Sequence, residues 1–109
     1  MARFVKGDIV VVPFPFSDLS GPKRRPAMVL SDLSGDDILL CQITSQKSGD
    51  PLSVLLTTKD FVTGSLPVDS FIRPSRIFTA DKSIIVRTAG SVNENIFGHV
   101  VERIINLLN

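Results

Sequence analysis

The feature that most constrains this chain is its rhythm: short apolar runs, each cut off by glycine, proline or aspartate, with helical spacing only near the C-terminal end. Ile9–Val12 follows the Gly7-Asp8 turn and reads as a buried β-branched strand. Pro13 and Pro15 are expected to stop it, because proline cannot donate to a sheet ladder. A polar loop is expected from Ser17 to Arg25, turning at Gly21-Pro22. Further strands are expected at Pro26–Ser31, Ile38–Thr44 and Leu52–Leu56, separated by turns at Ser34-Gly35-Asp36-Asp37 and Ser48-Gly49-Asp50-Pro51. Thr57 to Pro67 reads as a connection with a helical turn at Thr58–Phe61. Ser70–Arg73 and Arg76–Thr79 are short extended pieces around Pro74, and Ser83–Arg87 is a last strand closed by Gly90.

The period then changes. Ser91-Val92-Asn93-Glu94 has the pattern of a capping box. Val92, Ile96, Val100, Ile104 and Leu107, flanked by Phe97, Val101, Ile105 and Leu108, follow i, i+3, i+4 spacing. One terminal helix on five to seven short strands predicts a mainly β fold, a small β-barrel with a helical lid.

A length of 109 residues suits a single domain, 1–109, and 43% hydrophobic residues are enough for a core. No apolar run reaches the ~20 residues of a membrane-spanning helix, and the first dozen residues lack the pattern of a secretory signal. The one cysteine, Cys41, lies in an apolar run and reads as a buried thiol, so the chain is expected to be cytoplasmic. No His/Cys/Asp/Glu cluster has ligand spacing, so neither a metal nor a cofactor is expected. Net charge is only +1, but its distribution is uneven. Residues 1–30 carry +3 and residues 61–90 carry +2, with −3 between them, so two basic segments are available to converge into one phosphate-binding patch.

Gly7-Asp8-Ile9-Val10-Val11-Val12, then Phe14-Pro15-Phe16, and then Lys23-Arg24-Arg25-Pro26-Ala27-Met28-Val29-Leu30-Ser31 closely resemble the opening of the MazF/PemK toxins. Ile43-Thr44-Ser45 resembles a strand end of that family, and residues 66–74 through Thr79-Ala80-Asp81 resemble its third block. The resemblance implies an SH3-like β-barrel with a C-terminal α-helix and a homodimer. It further implies a toxin of a toxin–antitoxin system, held in check by a cognate antitoxin. The implied activity is metal-independent endoribonuclease cleavage of single-stranded RNA, by attack of the ribose 2′-hydroxyl on the neighbouring phosphate.

That chemistry needs charge stabilisation at the phosphate and two proton transfers. By the resemblance, Arg25 stabilises the transition state through its planar fork, and Thr44 places a hydroxyl on a phosphate oxygen or the 2′-hydroxyl. Arg73 matches an arginine near the scissile phosphate, the alternative being an edge-strand salt bridge. Lys23, Arg24, Ser45, Gln46 and Ser75 are the candidate RNA contacts. One branch of the family has a carboxylate where this chain has Ser75, and serine is no general base at neutral pH, so the proton-transfer groups stay open. Asp81 is expected to close a turn or pair with Arg76. His99, the sole histidine, reads as a partly exposed structural residue of the helix.

The alternative within the same family is a catalytically degenerate homologue that binds RNA, and two rival readings belong to other classes. A gyrase-inhibiting toxin of the same barrel relies on the last residues, typically with an aromatic among them, whereas this chain ends Leu107-Leu108-Asn109. A peptide-binding SH3 module lines its groove with Tyr and Trp, and this chain has neither. A seam between two copies has apolar surface to draw on: Phe14 and Phe16 with prolines beside them, and a helix apolar on about half its circumference.

Overall fold

The computed structural model describes residues 3–14, 23–47 and 49–109. Its elements run β1 (Asp8–Phe14), β2 (Lys23–Asp32), β3 (Asp37–Thr44), β4 (Val54–Leu56), β5 (Phe61–Gly64), β6 (Ser70–Asp81), β7 (Arg87–Val92) and α1 (Glu94–Leu108). The strands form one antiparallel sheet in the order β4-β6-β3-β2-β1-β7-β5.

Alternation along the strands sends side chains to two covered faces. Ile9, Met28, Cys41, Ile43 and Ile72 meet Ile96 and Val100 of α1 on one face. Val10, Val12, Ala27, Val29, Ile38 and Leu40 form a second cluster on the other, under Phe4, Phe78 and Ile85. Coverage on both sides explains why β1 reads as an unbroken apolar run rather than an alternating one. Val54 and Leu56 of the edge strand β4 and Phe61 of the opposite edge β5 join the same core as α1. Edges of one sheet can share a core only if the sheet curls, and the result is a half-barrel with the helix packed on β4 and β6. Each large side chain buried this way stabilises the fold by about 1.5–3 kcal/mol.

Several expectations shift. β1 continues through Pro13 to Phe14, pairing with Arg24 and Lys23. Its pairing with β7 ends at Val11, so Pro13 sits where β1 has a neighbour on one side only and the missing N–H is tolerated. β2 begins at Lys23, which places Lys23, Arg24 and Arg25 in a strand and not in the expected loop. Pro15, Phe16, the Ser17–Pro22 part of that loop and Ser48 lie outside the described residues, as does the side chain of Phe14.

The supposed connection after Thr57 contains β5, preceded by a 3-10 turn at Thr58–Asp60 whose Asp60 carboxylate accepts the Thr57 N–H at 2.8 Å. β6 is a single strand through a fully buried Pro74. The Ser83–Arg87 strand does not form. Asp81 Oδ1 accepts the Ser83 N–H at 2.8 Å and starts a 3-10 turn, which overrides the β-preference of Ile84 and Ile85. The strand starts instead at Arg87 and runs through Gly90. Ser91 therefore belongs to β7, and the helix is capped by Asn93, whose Oδ1 accepts the Ile96 N–H at 2.9 Å.

Gly64 and Gly90 are cross-strand partners in β5 and β7. A Cβ on Gly64 would stand 2.0 Å from the Ala89 carbonyl oxygen, and the backbone there has φ +66°. Only glycine permits that approach. Among the described residues, no helix is long and apolar enough to cross a membrane.

Candidate functional site

Two of the cavities that open on the described surface carry charged linings. The larger, about 740 Å³, lies between the Arg3–Lys6 segment and the Ser31–Leu33 turn. Its lysine on the far wall is satisfied: Lys82 Nζ pairs with Asp32 and donates to the carbonyls of Leu33 and Gly35. That ion pair holds the Asp32 carboxyl below its usual range. The cavity reads as a braced junction of the fold.

The smaller groove, about 530 Å³, is of a different kind. β2 supplies Lys23, Arg24 and Arg25 to it, and the start of β7 supplies Arg87, opposite Val11 of β1. Basic segments far apart in sequence thus meet at one groove, the arrangement that phosphate binding needs. Ser45 and Gln46 reach it from beyond the end of β3, bringing one hydroxyl and one amide. Leu66, Pro67, Val68 and Val86 form an aliphatic wall. Among the described residues, no acidic side chain lines it.

Arg25 is half-buried and stands opposite Val12 in the β1–β2 ladder, so the strand, and not loop geometry, aims its guanidinium. Two residues beyond the Ala27–Gln42 pair of β2 and β3 come Arg25 and Thr44, at the same end of neighbouring strands. Thr44 does not line the groove. Its Oγ1 accepts the Gln46 N–H at 3.2 Å, closing the turn that carries Ser45 and Gln46 into the groove. An acceptor in that bond, the hydroxyl keeps its proton for a second partner.

Arg73 and Ser75 also stand outside the groove lining. They occupy a bulge of β6, where the register moves from Ile43–Ile72 to Cys41–Ile77 and extra residues project from the ladder. Arg73 Nε lies 3.5 Å from Asp50 Oδ2, and Ser75 Oγ donates to that same oxygen at 3.1 Å. Asp50 is held below the ordinary carboxyl value first by the Leu52 N–H, then by the Ser75 hydroxyl and the Arg73 cation. It therefore stays ionised at neutral pH. Cys41 is buried as expected, and its thiol donates to the Arg73 carbonyl at 3.0 Å. Burial pushes that thiol up to about 12, so it is no nucleophile at neutral pH. His99 is exposed on α1 and does not line the groove, and Asp81 closes a turn, as expected.

Sequence reasoning missed Arg87 and Asp50. Arg87 belongs to a basic segment of the sequence, but the strand expected at Ser83–Arg87 starts four residues before the observed one, and the pairing that brings Arg87 to Val11 is invisible in that register. Asp50 lay in a turn motif, where aspartate has a sufficient structural reason to occur.

The sequence from 5 to 108 matches the family model of PemK-like, MazF-like toxins of type II toxin–antitoxin systems. A half-barrel with a basic groove at one end and a terminal helix defines a toxin-type domain of that kind. The chain belongs to the PemK-like, MazF-like toxin family. Among solved structures it is similar to an endoribonuclease in complex with its cognate antitoxin from a mycobacterial species, at 14% identity and a TM-score of 0.77, over 97% of this chain and 95% of that one. It is also similar to a MazE–MazF complex from Deinococcus radiodurans, at 24% identity and a TM-score of 0.73, over 94% of each chain. A third likeness is to Mycobacterium tuberculosis toxin MazF-mt6, at 16% identity and a TM-score of 0.70, over 93% of this chain and 95% of that one. At these identities the likeness is one of fold. No curated protein matches the chain by sequence.

Proposed function

We propose that this single-domain chain is an endoribonuclease toxin that cuts single-stranded RNA by 2′-hydroxyl attack, without a metal cofactor, in the cytoplasm. The observation that carries the reading is the convergence of Lys23, Arg24, Arg25 and Arg87 on one groove that, among the described residues, has no acidic lining side chain. The family match supports it, and so do structural relatives that are themselves endoribonucleases.

In the reaction the 2′-oxygen bonds to phosphorus and loses its proton, while the bond to the 5′-oxygen breaks and that oxygen gains one. The products are a 2′,3′-cyclic phosphate and a 5′-hydroxyl. Arg25 spans two non-bridging oxygens as negative charge builds on them, a contribution worth roughly 10² to 10³ in rate. Thr44 donates its hydroxyl proton to a phosphate oxygen, and Arg73 adds charge from β6. Lys23, Arg24 and Arg87 hold flanking phosphates, while Ser45, Gln46 and Ser75 contact sugar or base.

A cognate antitoxin fits the same groove. A disordered tail carrying carboxylates and aliphatic residues matches basic residues on one side and Leu66, Val68 and Val86 on the other. The chain acts as a homodimer of ~24 kDa with two-fold symmetry, drawing on the exposed apolar Ile105, Leu107 and Leu108 of α1. Incubation of the purified protein with end-labelled single-stranded RNA in EDTA tests the reading. We expect discrete cuts, and intact RNA under those conditions would refute it.

A further inference from the structure

A set of side-chain contacts outside the groove surrounds Arg73, and it is built from four elements. Ile72 and Pro74 are fully buried, so Arg73 between them is turned to the opposite side of β6, the side shared by Phe71, which is the cross-strand partner of Thr44. The Arg73 backbone is held by the Cys41 thiol from β3. Its Nε approaches the carboxylate of Asp50, which comes from the segment between β3 and β4.

Asp50 is itself immobilised. Its Oδ1 accepts the Leu52 N–H at 2.9 Å and its carbonyl accepts the Ser53 N–H at 3.2 Å. Arg103 of α1 then reaches across, and its Nη1 lies 3.4, 3.3 and 3.2 Å from the carbonyl oxygens of Pro51, Leu52 and Ser53. One cation bridging three consecutive carbonyls fixes the segment to the helix, leaving Asp50 Oδ2 presented to Arg73 and Ser75.

Such a contact is not needed to fill space, because apolar residues of similar volume would serve stability as well or better. It sets direction. Asp50 and Arg73 side chains keep only 11% and 21% of their surface exposed. Arg73 Nε is fully shielded, and among the described residues it finds no acceptor in hydrogen-bonding geometry, only the 3.5 Å approach to Asp50. A carboxylate at the Nε end of a guanidinium leaves the edge formed by its two terminal nitrogens to a second anion.

We infer that Asp50 is the positioning residue for Arg73, holding its guanidinium toward the scissile phosphate of the bound RNA, with Arg103 as the strut that keeps Asp50 in place. The inference rests on the ribonuclease reading above. Asp50 touches no reacting atom. It acts by removing the rotamers in which Arg73 would be turned away, an orientation effect felt in kcat more than in KM.

Asp50→Asn is the first variant, because asparagine keeps the Oδ1 that accepts the Leu52 N–H and replaces the charged acceptor Oδ2, which faces Arg73 and Ser75, with an amide NH2. We expect kcat for single-stranded RNA to fall about tenfold with KM little changed. In an Arg73→Ala background the same substitution should add nothing. Unchanged kcat in Asp50→Asn would overturn the inference, as would an equal loss with and without Arg73. The ¹⁵Nε–Hε resonance of Arg73 reads the contact without a variant, and it should move in the wild type as Asp50 takes up a proton at a pH below the ordinary carboxyl value of 3.8. A resonance that ignores both acid and Asp50→Asn would overturn the inference even if the variant is unstable. Wild-type protein that cuts no RNA refutes the ribonuclease reading instead, an outcome the resonance keeps separate.

Discussion

Arg25 stands directly across the β1–β2 ladder from Val12, a residue with no exposed surface. A side chain set beside a buried valine on a paired strand has a fixed base, so the charge it delivers to the groove is pre-oriented rather than captured from a mobile loop. Arg25→Ala should therefore lower kcat by about 10² to 10³. The ladder is backbone-made and survives the substitution, so the melting temperature should stay within roughly 5 °C. A two-fold loss of kcat, or a loss that follows unfolding, would remove Arg25 from the reaction.

Arg87 reaches the groove from β7, away from the β2 cations. As a phosphate contact it carries no sequence information. Arg87→Ala should weaken single-stranded RNA binding to a similar extent for every sequence, and should reduce the slope of log Kd against log salt by about 0.7. Titrations of two unrelated oligonucleotides at several salt concentrations check this. Weakening confined to one sequence would make Arg87 a base reader.

Gly64 and Gly35 both have positive φ, +66° and +74°, but only at Gly64 does a Cβ collide with backbone. Gly35→Ala should show conformational strain alone. Gly64→Ala adds the clash with the Ala89 carbonyl, and its melting temperature should fall by roughly 8–15 °C, more than that of Gly35→Ala. Equal losses would mean that β5 moves away from β7 at little cost.

Asp32 and Asp50 both have carboxyls lowered from the ordinary 3.8, by Lys82 and by the Leu52 N–H with Ser75 and Arg73 respectively. A lowered folded value means that the unfolded chain takes up protons first as pH falls. Their contribution to stability is complete above about pH 5 and is lost as pH drops through the lowered folded values. Denaturant titrations between pH 7 and pH 2 should show this loss, with a shallower acid slope in Asp50→Asn.

The strands that were legible in the sequence are those whose apolar pattern is set by burial on both faces. Ile38–Thr44 and the core of Ile9–Val12 needed no tertiary information to be placed. β5 was hidden because Phe61-Val62-Thr63-Gly64 is largely exposed, and it exists through its pairing with β7 and the Gly64–Gly90 contact. Ile84-Ile85-Val86 looked like a strand on propensity, and the Asp81 side chain bonded to Ser83 redirected it. At the site, Arg25, Thr44 and Arg73 were chosen by resemblance. Their separation into a basic groove and a braced β6 bulge depends on register, and Asp50 depends on a contact spanning 25 residues, from Asp50 to Ser75. Neither leaves a mark in local spacing.

The attacking group is the centre of the reading, and one substrate pair isolates it. Two RNA oligonucleotides differ only in a 2′-deoxyribose on the 5′ side of the cut, and both are incubated with the wild-type protein in EDTA while the products are weighed by mass spectrometry. We predict that the all-ribose strand yields a 2′,3′-cyclic phosphate and a 5′-hydroxyl, and that the deoxy-substituted strand stays intact at that bond. Cleavage of the substituted strand at the same position, or a 5′-phosphate on the product, would contradict attack by the 2′-hydroxyl.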